Sequence, residues 1–232
     1  LALRCIEKIT SNQIHHIPRV LYHWRIHSSS TAHDIDSKPY AMIAGVNALN
    51  EHFHRQNIKA KAEYLGCGYR VRYDLPDAVP LVSIVIPTKN KSELLQKCIE
   101  SILAKTEYAN YEIIIVDNGT DERKALSYLR KLGDSPKIRI LKDLSTFNYS
   151  KLNNDAVKVA SGEIIALLNN DVEIINNDWL DEMVSHALRS EVGVVGAKLY
   201  YSDDTIQHAG VILGVHGVAG HAHRFLQKGK GG

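Results

Sequence analysis

The chain has 232 residues, 44% of them hydrophobic, which is enough for one large or two modest domains with a buried core. Its 28 basic and 26 acidic residues are spread along the chain and leave a formal net charge of +2, so no basic stripe marks a nucleic-acid-binding face and no nucleic-acid partner is expected. Three cysteines at unrelated spacings argue against a disulfide framework, and the lack of a ~20-residue apolar run or a signal peptide predicts a soluble, cytoplasmic protein without a transmembrane segment.

The N-terminal third lacks the pattern of a self-contained domain. Residues 1–37 contain apolar segments and many histidines but no periodic core, so they need a packing partner. Residues 39–55 carry apolar side chains at helical spacing and predict one helix, whereas the connector that follows holds at most one strand, at 69–73. Because the chain begins with leucine and stops at Gly232 in an unpatterned glycine-rich stretch, we expect it to be a fragment of a longer protein.

From residue 80 onward short apolar runs alternate with helical patterns, which predicts βα units and a mainly parallel sheet. Strands are predicted at 81–86, 112–116, 138–141, 164–168 and 192–195, and helices at 90–103, 121–131, 149–160 and 178–188. Asn90 is expected to cap the first of these helices. In open sheets of this kind ligands bind at the carboxyl ends of the strands, so the loops at 87–90, 117–120 and 169–173 are expected to converge.

Two of these loops carry side chains suited to a nucleotide. Asp117 can accept hydrogen bonds from a base imide or a ribose, and Asn118 with Gly119 allows a tight turn, although a plain turn explains the same three residues. Residues 169–171 follow an apolar strand and present amide and carboxylate oxygens of the kind that Mg²⁺ or Mn²⁺ takes, with an Asx turn as the alternative. Residues 147–154 form a polar helix start that can face a phosphate or sugar hydroxyls, or serve as an ordinary cap.

Three segments, 82–90, 116–119 and 160–171, resemble in order and spacing the nucleotide-binding half of family 2 glycosyltransferases. The resemblance implies the α/β GT-A fold, which is Rossmann-like with a mainly parallel sheet and helices on both faces. It also implies that Asp171 binds a Mg²⁺ or Mn²⁺ cofactor and that Asn169 replaces the first carboxylate of the family's Asp-x-Asp motif. It places Pro87, Thr88 and Asp117 at the nucleoside pocket, and with these the predicted substrate-binding residues are Pro87, Thr88, Asn90, Asp117, Asn118, Asn153, Asn169, Asn170 and Asp171.

The N-terminal segment 16–28 resembles the closing segment of such a domain. There Arg25 and His27 are expected to reach back to the diphosphate or the metal, since Arg suits phosphate and neutral His suits Mn²⁺. The domains that follow from this resemblance are the end of a first glycosyltransferase domain at 1–37, a helical linker at 38–79, and the truncated nucleotide-sugar-binding part of a second domain at 80–232.

Residues 200–211 look like a segment of bacterial cell-surface polysaccharide transferases. The resemblance implies inverting, metal-dependent transfer of a sugar, such as rhamnose, from a nucleotide diphosphate sugar donor to a glycan or lipid-linked glycan acceptor. Such O-antigen-like synthesis implies peripheral association with the inner face of the membrane. The catalytic base is expected beyond Gly232, so the chain itself is expected to be catalytically incompetent.

Three alternatives stay open beside this resemblance. Another nucleotide-using α/β enzyme is disfavoured because the first predicted strand runs into Pro-Thr-Lys-Asn, without a Gly-x-Gly-x-x-Gly or Walker loop. In that tetrapeptide Lys89 stands where many family members have a tyrosine against the base. A non-catalytic tandem module that binds glycan or acts as a scaffold is the second alternative. A metal cluster is the third, although its spacing fits no common site; its residues are His208, His216, His221 and His223.

Overall fold

The computed structural model describes residues 1–23, 39–66, 68–214 and 217–229, and the chain forms two compact units. The parallel-sheet unit comprises Leu75–Val195, and the second unit combines Leu1–Asp74 with Gly196–Gly232. None of the helices in these described ranges is both long enough and apolar enough to cross a membrane. The three-part domain organisation expected from the sequence stays a prediction.

The helices and strands follow the predicted order along most of the chain. The helices are α1 (Ala2–Ile6), α2 (Pro39–Arg55), α3 (Ser92–Lys105), α4 (Arg123–Gly133), α5 (Tyr149–Val157) and α6 (Trp179–Ala187), with a 3₁₀ helix at Ser11–Gln13. The strands are β1 (Ala60–Tyr64), β2 (Tyr69–Tyr73), β3 (Val82–Thr88), β4 (Tyr111–Asp117), β5 (Ile138–Lys142), β6 (Ile164–Leu167), β7 (Leu199–Tyr200), β8 (Ile206–His208), β9 (Val211–Leu213) and β10 (Ala219–His221). The helix expected at 39–55 is thereby confirmed.

Two strand predictions are wrong. The connector before β3 holds two strands instead of one, because β1 and β2 pair as an antiparallel hairpin from Ala60↔Tyr73 to Tyr64↔Tyr69. Residues 192–195, which lie inside the described range 68–214, form no strand. Val194 is 90% exposed there, so this short apolar run finds no sheet edge with which to pair.

A four-stranded parallel sheet in the order β5-β4-β3-β6 forms the centre of the parallel-sheet unit. β3 pairs with β4 from Val82↔Tyr111 to Thr88↔Asp117, and with β6 from Val82↔Ile164 to Val85↔Leu167. The predicted α/β class with a mainly parallel sheet is confirmed. Strands in the middle of such a sheet are covered on both faces, which is why β3 and β4 read as continuous apolar runs.

Helices cover both faces of the sheet, as predicted. Since successive strand residues point to opposite faces, Ile84 and Ile86 pack on the side of α3, α4 and α6, whereas Val85 packs on the side of α5. These three side chains are fully buried. Removing each from water stabilises the unit by roughly 1.5–3 kcal/mol.

The crossover helices create a topological switch between β3 and β6. The connections through α3 and α4 carry the chain from β3 to β4 and then to β5, with both helices on one face. The connection through α5 returns on the opposite face and places β6 on the other side of β3. The crevice at the carboxyl ends of the strands at such a switch is the place where open α/β sheets bind ligands.

A hydrogen-bond network ties the amino ends of the strands together. The Ser83 hydroxyl donates to Glu112 Oε1 at 2.7 Å and accepts from the Gly162 amide at 2.8 Å. Glu112 also accepts from the Ser161 amide at 2.7 Å and, through Oε2, from Arg139 Nη2 at 2.8 Å. Because these residues lie on β3, β4, β5 and the turn before β6, one carboxylate links all four strands at the edge opposite the switch crevice.

The close approach at Gly162 generates a stability prediction. A Cβ at this position would lie 2.6 Å from the Ser83 amide nitrogen and 2.7 Å from the Leu81 carbonyl oxygen, so Gly162→Ala must move backbone. We expect it to destabilise the chain by about 1–3 kcal/mol, measured as a lower urea midpoint by circular dichroism. Gly133→Ala is the matched control, because its Cβ would meet only Ile140 Cδ1 at 3.7 Å. An equal loss of stability in both variants would contradict the steric explanation.

Candidate functional site

A pocket of about 250 Å³ opens in the switch crevice at the carboxyl ends of β3 and β6. Its lining residues are Pro87, Thr88, Lys89, Asn118, Phe147, Tyr149, Leu152, Asn169, Asn170 and Asp171. The predicted convergence of the loops after β3, β4 and β6 is therefore confirmed. Of the predicted substrate-binding residues, the lining includes Pro87, Thr88, Asn118, Asn169, Asn170 and Asp171.

The loop after β6 is joined to the end of β3 by a buried contact. Asn170 Nδ2 donates to the Thr88 hydroxyl at 2.9 Å, and Thr88 is only 5% exposed. Asn169 and Asp171, on either side of Asn170, are exposed. The middle amide therefore holds the loop while the two flanking side chains remain accessible at the pocket.

Side chains of helix α3 hold the loop after β6 at Asn169 and Ile174. The Ser101 hydroxyl accepts from the Ile174 amide at 3.0 Å, and Lys105 Nζ donates to the Ile174 carbonyl at 2.7 Å. The buried Cys98 thiol lies 3.7 Å from the Asn169 carbonyl oxygen. Burial, and then the negative charge of Asp171, raises the pKa of the Cys98 thiol to about 12. Cys98 is therefore a protonated support of the loop and not a nucleophile.

The loop after β4 is held by its own side chains. Asp117 is 4% exposed, and its Oδ1 accepts from the Thr120 amide at 2.9 Å across the turn at Gly119, which has a φ of 74°. The Asn118 side chain donates to the carbonyls of Asp143 at 3.1 Å and Ser145 at 2.9 Å. Asn118 thus fixes the start of the segment that carries the aromatic wall of the pocket.

Asn90 does not cap α3, contrary to the prediction. The N-cap of α3 is Lys91, in a left-handed conformation at φ 49° and without a side-chain cap. Asn90 Oδ1 instead accepts from the amides of Asp121 at 3.0 Å and Glu122 at 3.1 Å, and Asn90 Nδ2 donates to Asp121 Oδ1 at 2.8 Å. The parallel pairing of β3 with β4 brings these two loops together, so Asn90 satisfies amides ahead of α4.

Two aromatic side chains at the start of α5 form one wall of the pocket; they lie in the predicted polar segment 147–154 but are not among the predicted substrate-binding residues. Phe147 and Tyr149 are 68% and 44% exposed and line the pocket. Between them Asn148 caps the helix by accepting from the Lys151 amide at 3.0 Å. Tyr149 Oη lies 3.5 Å from Asn169 Oδ1. Aromatic residues on both sides of a helix cap, directly before a crossover helix, are the sequence signal that marks them.

A salt bridge braces the segment before α5. Lys151 Nζ donates to Asp143 Oδ2 at 2.8 Å and to Asp155 Oδ2 at 2.9 Å. Asp143 Oδ1 accepts from the Ser145 amide at 2.7 Å. Hydrogen bonds from Lys151 and Ser145 lower the pKa of Asp143 from 3.8 to about 2. Asp143 therefore stays ionised and keeps the aromatic wall in place.

Three predicted substrate-binding residues lie outside the pocket lining, namely Asn90, Asp117 and Asn153. Asn153 is 4% exposed, and its Nδ2 donates to the Tyr149 carbonyl at 2.8 Å. Arg25 and His27 lie outside the described residues. The substrate-binding roles of all these residues stay predictions.

The chemistry of the lining suits one particular mode of metal binding. Across the described ranges no three His, Cys, Asp or Glu side chains come together as a metal site. Asp171 is an exposed carboxylate for which the described part of the chain provides no ion-pair partner, and it is the one carboxylate of the lining. A single carboxylate that shares the ion with substrate phosphates is a usual way to hold Mg²⁺, so the pocket fits a metal that arrives with its ligand.

Comparisons with known proteins relate most of the chain to one family of enzymes. Residues 83–221 match the model of the family described as Glycosyl transferase family 2. The uncharacterized protein y4gI of Sinorhizobium fredii is 49% identical over 227 residues, which are 96% of this chain and 25% of that protein. The O-antigen biosynthesis protein RfbC of Myxococcus xanthus is 40% identical over 230 residues, which are 99% of this chain and 18% of that protein. The chain thus spans a quarter or less of the length of these two relatives.

Among solved structures, a mannosyltransferase from Pyrobaculum calidifontis in complex with GDP-Man and Mn²⁺ aligns with a TM-score of 0.47 and 20% identity. The alignment covers 53% of this chain and 36% of that chain.

The brace on the aromatic wall generates a pH prediction. Because folding lowers the pKa of Asp143 from 3.8 to about 2, its stabilising contribution is complete above its ordinary pKa and is lost as the pH falls through the lowered one. We expect Asp143→Asn to lower the thermal midpoint at about pH 7, and we expect the difference from the wild type to disappear towards about pH 2. Asp134→Asn is the control, since the described part of the chain gives this exposed side chain no ion pair. A constant difference at every pH would contradict the assignment.

Proposed function

The chain belongs to glycosyl transferase family 2, and on this premise we propose that the switch pocket binds the nucleotide diphosphate part of a sugar donor, for transfer of the sugar to a glycan acceptor. The observation that carries the proposal is the convergence of Thr88, Asn118 and residues 169–171 on one crevice at the carboxyl ends of the strands. Family membership identifies the reaction class, and the crevice is where this fold class holds a nucleotide.

The lining offers a separate contact for each part of such a donor. Phe147 and Tyr149 present exposed rings, which suit stacking on a planar base or packing on a sugar face. Asn169 supplies an amide that can donate to, or accept from, a hydroxyl. Lys89 is exposed at the lining and adds one positive charge where a diphosphate brings negative charge.

Asp171 is the residue that would hold a divalent ion, Mg²⁺ or Mn²⁺, together with the phosphate oxygens of the donor. An ion bound there would neutralise the negative charge that develops on the leaving diphosphate. Asn169, in place of a second carboxylate, leaves the pocket with less negative charge than an Asp-x-Asp motif. Lys89 and Asp171 therefore balance each other, and we expect the donor's own phosphates to contribute much of the metal affinity.

We propose that the transfer inverts the anomeric configuration by a single displacement. This reaction needs a carboxylate base that removes the proton of the acceptor hydroxyl. Asp171 is the one carboxylate of the lining and is assigned to the metal, so the base must come from outside the lining.

The similarity to an O-antigen biosynthesis protein supports polysaccharide synthesis as the setting of the reaction. We propose a glycan or lipid-linked glycan as the acceptor, used at the inner face of the membrane, where such carriers are loaded. A non-catalytic glycan-binding or scaffold module is the alternative that the donor-binding experiment distinguishes.

The donor proposal is tested by calorimetric titration of the 232-residue chain with UDP, dTDP and GDP, each with and without Mn²⁺. We expect one nucleotide to bind, and we expect Mn²⁺ to strengthen its binding by about tenfold or more, since the ion bridges Asp171 and the diphosphate. Asp171→Ala should remove the effect of Mn²⁺. Glu173→Ala is the matched control, because Glu173 is an exposed carboxylate two residues away that faces Lys105 at 4.0 Å.

Two outcomes would contradict the proposal in different ways. Unchanged Mn²⁺-dependent binding by the Asp171→Ala variant would show that Asp171 is not the metal ligand. Binding of none of the three nucleotides by the folded chain would favour the glycan-binding or scaffold module.

A further inference from the structure

The second unit contains a pocket of its own, also of about 250 Å³, which the proposed donor site does not use. We name it the histidine–arginine pocket, and its lining residues are Leu199, Tyr201, Gln207, His208, His221 and Arg224. The side chains at this pocket are hydrogen-bonding or cationic apart from Leu199, and none is a carboxylate.

Backbone hydrogen bonds build the pocket from segments that are distant in sequence. The Ile206 amide donates to the Leu226 carbonyl, and the Phe225 amide donates to the Ile206 carbonyl, both at 2.8 Å. The Ala222 amide donates to the Gly210 carbonyl at 3.0 Å. These contacts pin the segment 222–226 along β8, and Ile206 is completely buried beneath them. Arg224 therefore lies on a segment whose backbone is held by hydrogen bonds to β8 and Gly210.

The backbone on either side of Arg224 is held in an uncommon conformation. His223 has a φ of 56° and Phe225 a φ of 68°, both in the left-handed region that residues with a Cβ avoid. Strained backbone of this kind is found preferentially at active sites and ligand-binding sites. Here the side chain between the two strained residues is the Arg224 guanidinium.

The Arg224 guanidinium uses only some of its N–H donors within the protein. Its Nε and Nη2 donate to the Tyr201 hydroxyl oxygen at 3.3 and 2.8 Å, and its guanidinium lies 4.7 Å from the centre of the Phe225 ring. Within the described residues no carboxylate pairs with it. A guanidinium has five N–H donors in a planar fork, so the remaining ones are open to a ligand. The tyrosine and the phenylalanine restrain the group without neutralising it.

The two histidines form a close pair beside this cation. Nδ1 of His208 lies 3.0 Å from Nδ1 of His221, and the rings meet edge to face at 83°. In a neutral pair one Nδ1 donates and the other accepts, so the accepting ring carries its own proton on Nε2. The pair therefore offers a further N–H donor in addition to the guanidinium.

We propose that the histidine–arginine pocket binds a phosphate group, as free phosphate or as a phosphate ester. Arg224 and the histidine pair place N–H donors at one pocket, and a tetrahedral group with three or four acceptor oxygens uses several donors better than a planar carboxylate. A metal ion fits poorly, because the pair supplies two imidazoles and the permanent charge of Arg224 repels a cation. The proposal is independent of nucleotide binding in the parallel-sheet unit.

The test is a titration of the 232-residue chain with inorganic phosphate, by calorimetry in a chelator-containing buffer that removes divalent metals. We expect saturable binding that Arg224→Gln weakens by about tenfold or more, the loss of a charge-assisted hydrogen bond. His208→Gln should weaken it as well, and it provides a second variant if the Arg224 variant misfolds by circular dichroism. His223→Asn is the matched control, because this histidine is not in the lining and asparagine tolerates a positive φ.

Titrations with other ligands, and a separate titration with Zn²⁺ in buffer without the chelator, decide what the pocket recognises. Binding of dimethyl phosphate as well as inorganic phosphate points to a phosphodiester source, and binding of inorganic phosphate alone points to the free ion or a monoester; both support the proposal. Equal affinity for glucuronate, or for phosphate in the Arg224→Gln variant, overturns it. Stoichiometric Zn²⁺ binding that His208→Gln abolishes also overturns it, in favour of a metal site.

Discussion

β3 is hydrogen-bonded along both edges, to β4 on one side and to β6 on the other, and every residue of the switch pocket is placed relative to it. Since all these strands are parallel, their carboxyl ends meet at one edge of the sheet. The order in which strands are added to the sheet reverses at β3, because the crossover helices α3 and α5 cover opposite faces. The crevice that results brings Thr88 within 2.9 Å of Asn170, although 82 positions separate them.

The loops at this edge of the sheet contain several asparagines, some hydrogen-bonded to other parts of the protein and one exposed at the pocket. Asn90, Asn118 and Asn170 all donate to other parts of the protein. A buried amide without a partner is costly, so these side chains keep the loops in place. Asn169 and Asp171 are exposed and remain available. Asparagine side chains are therefore held by the protein at three of these positions and accessible at Asn169.

The two pockets differ in the charges that they offer to the oxyanions proposed to bind there. The switch pocket has one carboxylate, Asp171, and one nearby ammonium, Lys89, so its proposed diphosphate ligand needs a metal ion to bridge like charges. The histidine–arginine pocket has no carboxylate, and Arg224 supplies a permanent positive charge directly. Metal dependence is accordingly expected of the first pocket and not of the second.

The amino-acid sequence by itself determined the βα order, the buried strands and the convergence of the three loops, because continuous apolar runs such as 82–86 and helical stripes such as that of α3 are local patterns. It also held the motif by which the family is recognised. Only the tertiary structure decided which polar residues reach the pocket. It turned Asn90 towards the start of α4, paired β1 with β2, left Val194 without a sheet edge, and brought Phe147 and Tyr149 to the lining. These outcomes depend on contacts between distant segments, for which a local pattern carries no signal.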